Sequence, residues 1–184
     1  MKRNLIYLFG TQGRTMQNNC WLPDLVEFNS YGGNWGKYED AIYRVFKKDF
    51  IDSKPNFEGK QVNIRRQPMV NDKEEAFIHV THQDYNKDGE RLPDMRRCER
   101  IRWVRSFIEE YNCDSSKCID CDGVKVWEED APRGTGKRVQ LLLQEERYMV
   151  VLERRSTYCL LITAFYFEHD HALRKKLEHY ENNK

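Results

Sequence analysis

The chain has almost no net charge, no long apolar run and no low-complexity tract, and each absence removes a class of protein. Its 31 basic and 30 acidic residues leave +1 over 184 residues, so no global field draws it to nucleic acid or to an anionic surface. The longest apolar stretches, such as residues 158–167 with one threonine inside, fall far short of the ~20 residues that cross hydrocarbon. The opening MKRNLIYLFG carries an apolar part of only six residues, and no small-residue cleavage site follows. A cytoplasmic protein without a membrane partner is the expectation. The GTQGRT segment at 10–15 lacks the Lys-Ser/Thr pair and the preceding buried strand of a phosphate loop. No internal repeat is visible.

What remains is a balance of 39% hydrophobic and 33% charged residues, which suits a folded, heavily charged domain long enough to bury a core. The division expected is an N-terminal extension over 1–34 and one α+β domain over 35–184. Six cysteines, Cys20, Cys98, Cys113, Cys118, Cys121 and Cys159, leave two readings. The C-x4-C-x2-C cluster at 113–121 could give three thiolates to zinc with Cys20 or Cys98 as the fourth, or all six are reduced thiols.

Periodicity sets the elements. Over 37–52, Tyr38, Ile42, Val45, Phe46 and Phe50 share one helical face, with Asn34 or Gly36 as cap and Pro55 beyond the end. Residues 61–66 and 76–81 read as strands. In AFIHVTH the alternation puts Phe77, His79 and Thr81 on one face and Ile78, Val80 and His82 on the other. Pro93 and Asp94 start a helix that runs to about Tyr111. Four further strands, at 124–129, 138–144, 148–155 and 158–167, follow with short links. They predict a four-stranded antiparallel meander with the N-terminal helices packed on it. A helix over 171–181 closes the chain, with Ala172, Leu173, Leu177 and Tyr180 on its apolar face. Helices first and a meander after is α+β.

Most of the usable chemistry lies between Phe77 and Trp103. Two histidines precede a polar loop, and residues 91–105 hold six arginines against two acids. Imidazole moves protons near neutral pH, and guanidinium grips phosphate or carboxylate through paired hydrogen bonds. Arg96 and Arg100 stack one turn apart near a helix start, where backbone N–H groups also favour an anion. Each group has a plain alternative as well: a hydrogen-bonded structural histidine, or a solvated arginine face paired with Glu99, Glu109 and Glu110.

The order of YEDAIYRVFKKDFI, SKPNFEGKQV, FIHVTH, RLPDMRRCERIRW, VKVWEE and ERYMVVLERRSTYCLLITAFYF, closed by a lysine-rich helix ending in HYE, resembles phage- and plasmid-associated proteins. Those proteins are grouped with the barnase–EndoU–colicin–RelE (BECR) fold ribonucleases. The resemblance spans roughly 35–181 and departs at Ile78, where the family pattern often carries an aromatic. It implies a metal-free, cofactor-free endoribonuclease of toxin or phage-defence type, with RNA as substrate and a protein inhibitor (antitoxin) as partner.

The resemblance points to His79, the arginines of RLPDMRRCER and Thr163 as the site. RNA carries its own nucleophile, the 2′-hydroxyl, so a base, an acid and donors to the phosphorane suffice. The roles expected are His79 as general base or acid, His82 as second proton carrier, Arg97 and Arg100 on the phosphate, and Thr163 as donor to a non-bridging oxygen. Arg91, Arg96 and Arg154 would hold the RNA backbone, and Tyr158 would stack a base. The product is a 2′,3′-cyclic phosphate. Without the resemblance, Thr163 is a β-branched strand former and nothing more. The competing reading is a non-catalytic RNA-binding or toxin–antitoxin module of the same fold; a zinc-dependent regulator is a third.

Overall fold

Asn34 opens the first helix of the computed structural model, which describes residues 21–113, 122–131 and 136–184. The Asn34 side chain accepts from the Lys37 backbone N–H, and helix α1 runs Trp35–Lys47 before a wider turn over Lys48–Asp52. Tyr38, Ile42, Phe46 and Phe50 are buried as the helical period requires. Residues 21–34, read from sequence as part of an extension, lie on the same core. Leu22 and Val26 are buried, Tyr38 donates its hydroxyl to the Val26 carbonyl at 2.9 Å, and Trp103 donates to the Pro23 carbonyl at 2.8 Å.

Strands β1 (Asn56–Phe57) and β2 (Lys60–Asn63) follow, then helices α2 (Glu75–Thr81), α3 (Met95–Glu99) and α4 (Ile101–Glu109). Strands β3 (Lys125–Asp130), β4 (Lys137–Leu143), β5 (Tyr148–Arg154) and β6 (Cys159–Tyr166) precede the closing helix α5 (Asp170–Asn183). The fold is α+β. The sheet differs from the expected four-stranded antiparallel meander: it is six-stranded and mixed, in the order β1-β2-β6-β5-β4-β3, and β2 lies parallel to β6. With Val62 as its one apolar residue, the short strand β2 gave no sign of which strand it would join.

The β2–β6 pairing is short, matching Val62 to Cys159 and Asn63 to Leu160. Past Leu160, no described strand pairs β6 on that side, and α2 and α3 pack against it. The sheet separates two cores by alternation. Val139, Leu141, Leu143, Tyr148, Val150 and Leu152 face α1, α2, α3 and α4. Leu142, Met149 and Val151 face the other way, where Ala172, Leu173, Leu177 and Tyr180 of α5 cover them together with Trp127 and Phe167.

The segment 76–81, read from sequence as a strand, is helical. Ala76, Phe77, Ile78, Val80 and Thr81 are all buried. Phe77 alone meets Tyr43 and Phe46 at ring distances of 5.1 and 5.5 Å. A short helix covered on most sides leaves only Glu75 and His79 as a polar stripe, too little to mark a 3.6-residue period, so its β-branched residues imitated a strand; packing overrode that weak propensity. The division of the two histidines by strand alternation falls with it. The helix expected over 94–111 has its cap at Asp94, which accepts from the Arg96 and Arg97 N–H groups, but it breaks at Arg100 (φ −94°, ψ 16°) into α3 and α4.

The 10–15 segment, Cys20, Cys118 and Cys121 lie outside the described residues. Cys98 is buried, donates to the Thr81 carbonyl at 3.3 Å and has its thiol pushed up to about 12 by burial. A thiolate ligand at that position is therefore disfavoured. Among the described residues no cluster of His, Cys, Asp and Glu has the form of a metal site. No helix among them is long and apolar enough to cross a membrane.

Candidate functional site

His79 occupies the last turn of α2, one turn after Glu75, and both ring nitrogens are held. Nε2 lies 3.2 Å from Glu75 Oε1 and Nδ1 lies 3.1 Å from Arg91 Nη1. A guanidinium only donates and a carboxylate only accepts. Those contacts fix one neutral tautomer, with the proton on Nε2 and the lone pair on Nδ1. Burial pushes the His79 pKa below the usual histidine value, Arg91 pushes the same way, and Glu75 opposes.

The backbone carbonyl of His79 is as important as its ring. Thr163 Oγ1 donates to it at 2.9 Å and Arg97 Nη1 at 3.4 Å. Arg97 Nη1 also donates to the His82 carbonyl at 2.7 Å, and its Nε lies 3.2 Å from Asp94 Oδ2. Arg97 thus satisfies carbonyls at the C-terminal end of α2 and ties that helix to the cap of α3. Leaving such a carbonyl unsatisfied costs about 1–3 kcal/mol, against the 0–1 kcal/mol of an ordinary surface ion pair. Capping is therefore the larger part of what Arg97 does in the fold.

Thr163 reaches this point through a register shift. Val151 pairs with Thr163 while the next residue, Leu152, pairs with Leu161, leaving Ile162 as the extra residue. In an unbroken strand Thr163 would share the face of Leu161, inside the larger core. The extra residue turns Ile162 and Thr163 out together while Leu161 and Ala164 stay in, the re-aiming that bulges perform. His79, Asp84, Arg97, Ile162, Thr163 and Phe165 then line one open cleft of about 270 Å³. Arg97 lies over the Phe165 ring at 5.7 Å.

The remaining expected residues are dispersed. His82 is in the extended residue after α2, buried, with Nδ1 2.8 Å from Thr81 Oγ1; it faces a neighbouring cavity, not the His79 cleft. Thr81 Oγ1 spends its proton on the Phe77 carbonyl at 2.6 Å, so His82 Nδ1 is the donor and Nε2 the acceptor. Burial lowers the His82 pKa, with Glu39 opposing. Arg100 is not in the cleft: its guanidinium lies over Trp103 at 4.8 Å and Tyr166 at 5.0 Å, and Nη1 donates to the Arg96 carbonyl. Arg96 covers the same Tyr166 ring at 4.5 Å. Arg154 is bound to Glu58 and Glu128 at 2.7 and 2.8 Å, and Tyr158 lines a separate hollow with Lys54, Asn63 and Arg66. Neither reaches His79.

Sequence reasoning missed the function of Glu75 and understated Arg91. The Glu75-to-His79 spacing of four residues was the available signal, legible only once 75–81 is read as a helix. Arg91, placed in sequence among RNA grips, is nearly buried at 8% side-chain exposure. Its Nε donates to the Gln83 carbonyl at 2.9 Å, and it closes the ring of partners around His79. No protein family, curated protein or solved structure matches the chain.

Proposed function

We propose that the protein is a metal-independent endoribonuclease with His79 as its base. The observation that carries this reading is the cleft in which His79, Arg97 and Thr163 meet, from three elements far apart in the chain. Glu75 on Nε2 sets the tautomer and stabilises the imidazolium that forms, the orienting role a carboxylate plays for a catalytic histidine. Nδ1 takes the proton of the RNA 2′-hydroxyl. The 2′-oxygen attacks phosphorus, the bond to the 5′-oxygen breaks, and that oxygen takes a proton from water, leaving a 2′,3′-cyclic phosphate. Arg91, which donates to Nδ1 in the free protein, transfers its N–H to the incoming phosphate. In this scheme the Thr163 hydroxyl and Arg97 Nη1 hold the backbone under His79 rather than touch phosphate, because both are committed to carbonyls.

One observation favours a second reading, a non-catalytic RNA-binding or inhibitor-partner module. Both nitrogens of His79, the Thr163 hydroxyl and Arg97 Nη1 all have protein partners already. Total RNA incubated with the purified full chain in EDTA separates the two. Cleavage with cyclic-phosphate ends supports the enzyme, and RNA left intact across a broad panel supports the module.

A further inference from the structure

Four large apolar side chains are exposed among the described residues: Met69, Val70, Tyr85 and Leu92, with Tyr85 the most open at 72%. All four belong to two loops, 64–74 and 83–94, and these loops frame the cavity of about 250 Å³ that His82 faces. Val70, Pro68 and Tyr85 give the cavity an apolar wall. Glu39, Glu75, His82 and Arg91 give it polar groups. A cavity that joins an apolar wall to a few convergent polar groups has the usual make-up of a small-molecule site.

Two of the polar groups are incompletely used. Glu75 Oε1 lies against His79 Nε2 and Arg65 Nη1, at 3.2 and 3.3 Å, while Oε2 is buried with no hydrogen-bond partner. His82 offers Nε2 as an acceptor, as its bond to Thr81 dictates. The acceptor left to the cavity is therefore His82 Nε2, while Glu75 Oε2 adds negative charge behind the wall. Arg91 meanwhile covers one face of the Tyr85 ring at 5.2 Å, and the rest of the ring is open. Unstacked bases stack on such aromatic rings and are read by hydrogen bonds on their edges.

We propose that this cavity binds a nucleobase carrying an amino group, seated against Tyr85 and donating that amino group to His82 Nε2. Adenine, cytosine and guanine qualify, whereas uracil has no exocyclic amine. The inference rests on the reading that the protein acts on RNA, and it adds a link to that reading. Glu75 and Arg91 are the two side chains that hold the His79 ring, and both line this cavity. A base that draws on Arg91 loosens its hold on Nδ1, so filling the cavity uncovers the lone pair of the proposed catalytic base.

The test is binding, which is independent of whether RNA is cut. Cytidine, adenosine and uridine monophosphates, with inorganic phosphate as control, are titrated into the full chain by calorimetry. The expected result is that the two amino-bearing nucleotides bind at least about tenfold tighter than uridine monophosphate. Tyr85→Ala should remove about tenfold or more of that affinity, and Tyr85→Phe should keep it. Equal affinity for the three nucleotides, binding matched by inorganic phosphate, or indifference to Tyr85→Ala overturns the inference. Selective nucleotide binding by a protein that cuts no RNA sustains this site and removes the ribonuclease reading instead. Binding of a protein partner at Tyr85 without any nucleotide selectivity also overturns it.

Discussion

The hydroxyl of Thr163 donates to the backbone carbonyl of His79 at 2.9 Å, across 84 positions of sequence. This bond fastens the last turn of α2 to the half of β6 that lies beyond its pairing with β2. Thr163→Val keeps the shape and removes the donor. The His79 carbonyl retains the longer contact from Arg97, so the loss of stability should be about 0.5–1.5 kcal/mol. Thr163→Ser should restore it. Denaturant unfolding midpoints of the three proteins check this.

Arg97 is a heavier element of the same junction. Arg97→Met leaves the His82 carbonyl without its donor, at about 1–3 kcal/mol, and Asp94 Oδ2 without its ion pair, at about 0–1 kcal/mol, so the loss should be roughly 1–4 kcal/mol. At this chain length that is a fall in melting temperature of roughly 2–16 °C. Arg100→Ala loses ring stacking and a bond to the Arg96 carbonyl, and should fall by less than half as much. Thermal melts of both variants set the order. The reverse order would show that the Tyr166 surface, not the α2 cap, is the stronger tie.

Much of this arrangement was legible before the structure. The Asp94 cap, Asn34 as one of two candidate caps, the aromatic face of α1, the locations of β3, β4, β5 and β6 and the apolar face of α5 all follow from periodicity and capping chemistry. Two things were not. The helix α2 is buried on most sides, so Phe77, Ile78 and Val80 carry no helical signature, and strand propensity took over. The face of Thr163 depends on one unpaired residue, Ile162, which no local pattern reveals. His79, Arg97 and Thr163 were singled out together for phosphate chemistry and do meet, but through the main chain. The side chain that meets the His79 ring besides Arg91 is Glu75, on a helix read as a strand.

Protonation of the two histidines opposes the fold. His79 and His82 both have pKa values below the unfolded value, chiefly through burial. The unfolded chain therefore binds more protons than the native one as pH falls below about 6.5, and stability declines from there toward the folded pKa values. Melting temperatures between pH 8 and pH 5 should drop on the acid side, and the drop should shrink in His79→Gln. The same shift affects the proposed chemistry: a base with a lowered pKa stays neutral further into acid, so the acid limb of any rate profile should lie below pH 6.5.

Glu75 separates orientation from charge. Glu75→Gln can still accept from His79 Nε2 but no longer stabilises the imidazolium. RNA cleavage should fall on the order of 10–100-fold, less than the roughly 100–10,000-fold that a general base itself contributes, because the imidazole is still present. The acid limb should move to still lower pH, because the group that raises the His79 pKa has gone. Single-turnover rates across pH measure both changes.

The central claim is that the His79 ring is a base and not only a packed side chain. Single-turnover cleavage of a defined RNA in EDTA should yield 2′,3′-cyclic phosphate ends with the natural chain. With His79→Gln, shown by its melting curve to be folded, the rate should fall at least about 100-fold. Unchanged cleavage by folded His79→Gln, or no cleavage by the natural chain, contradicts the account.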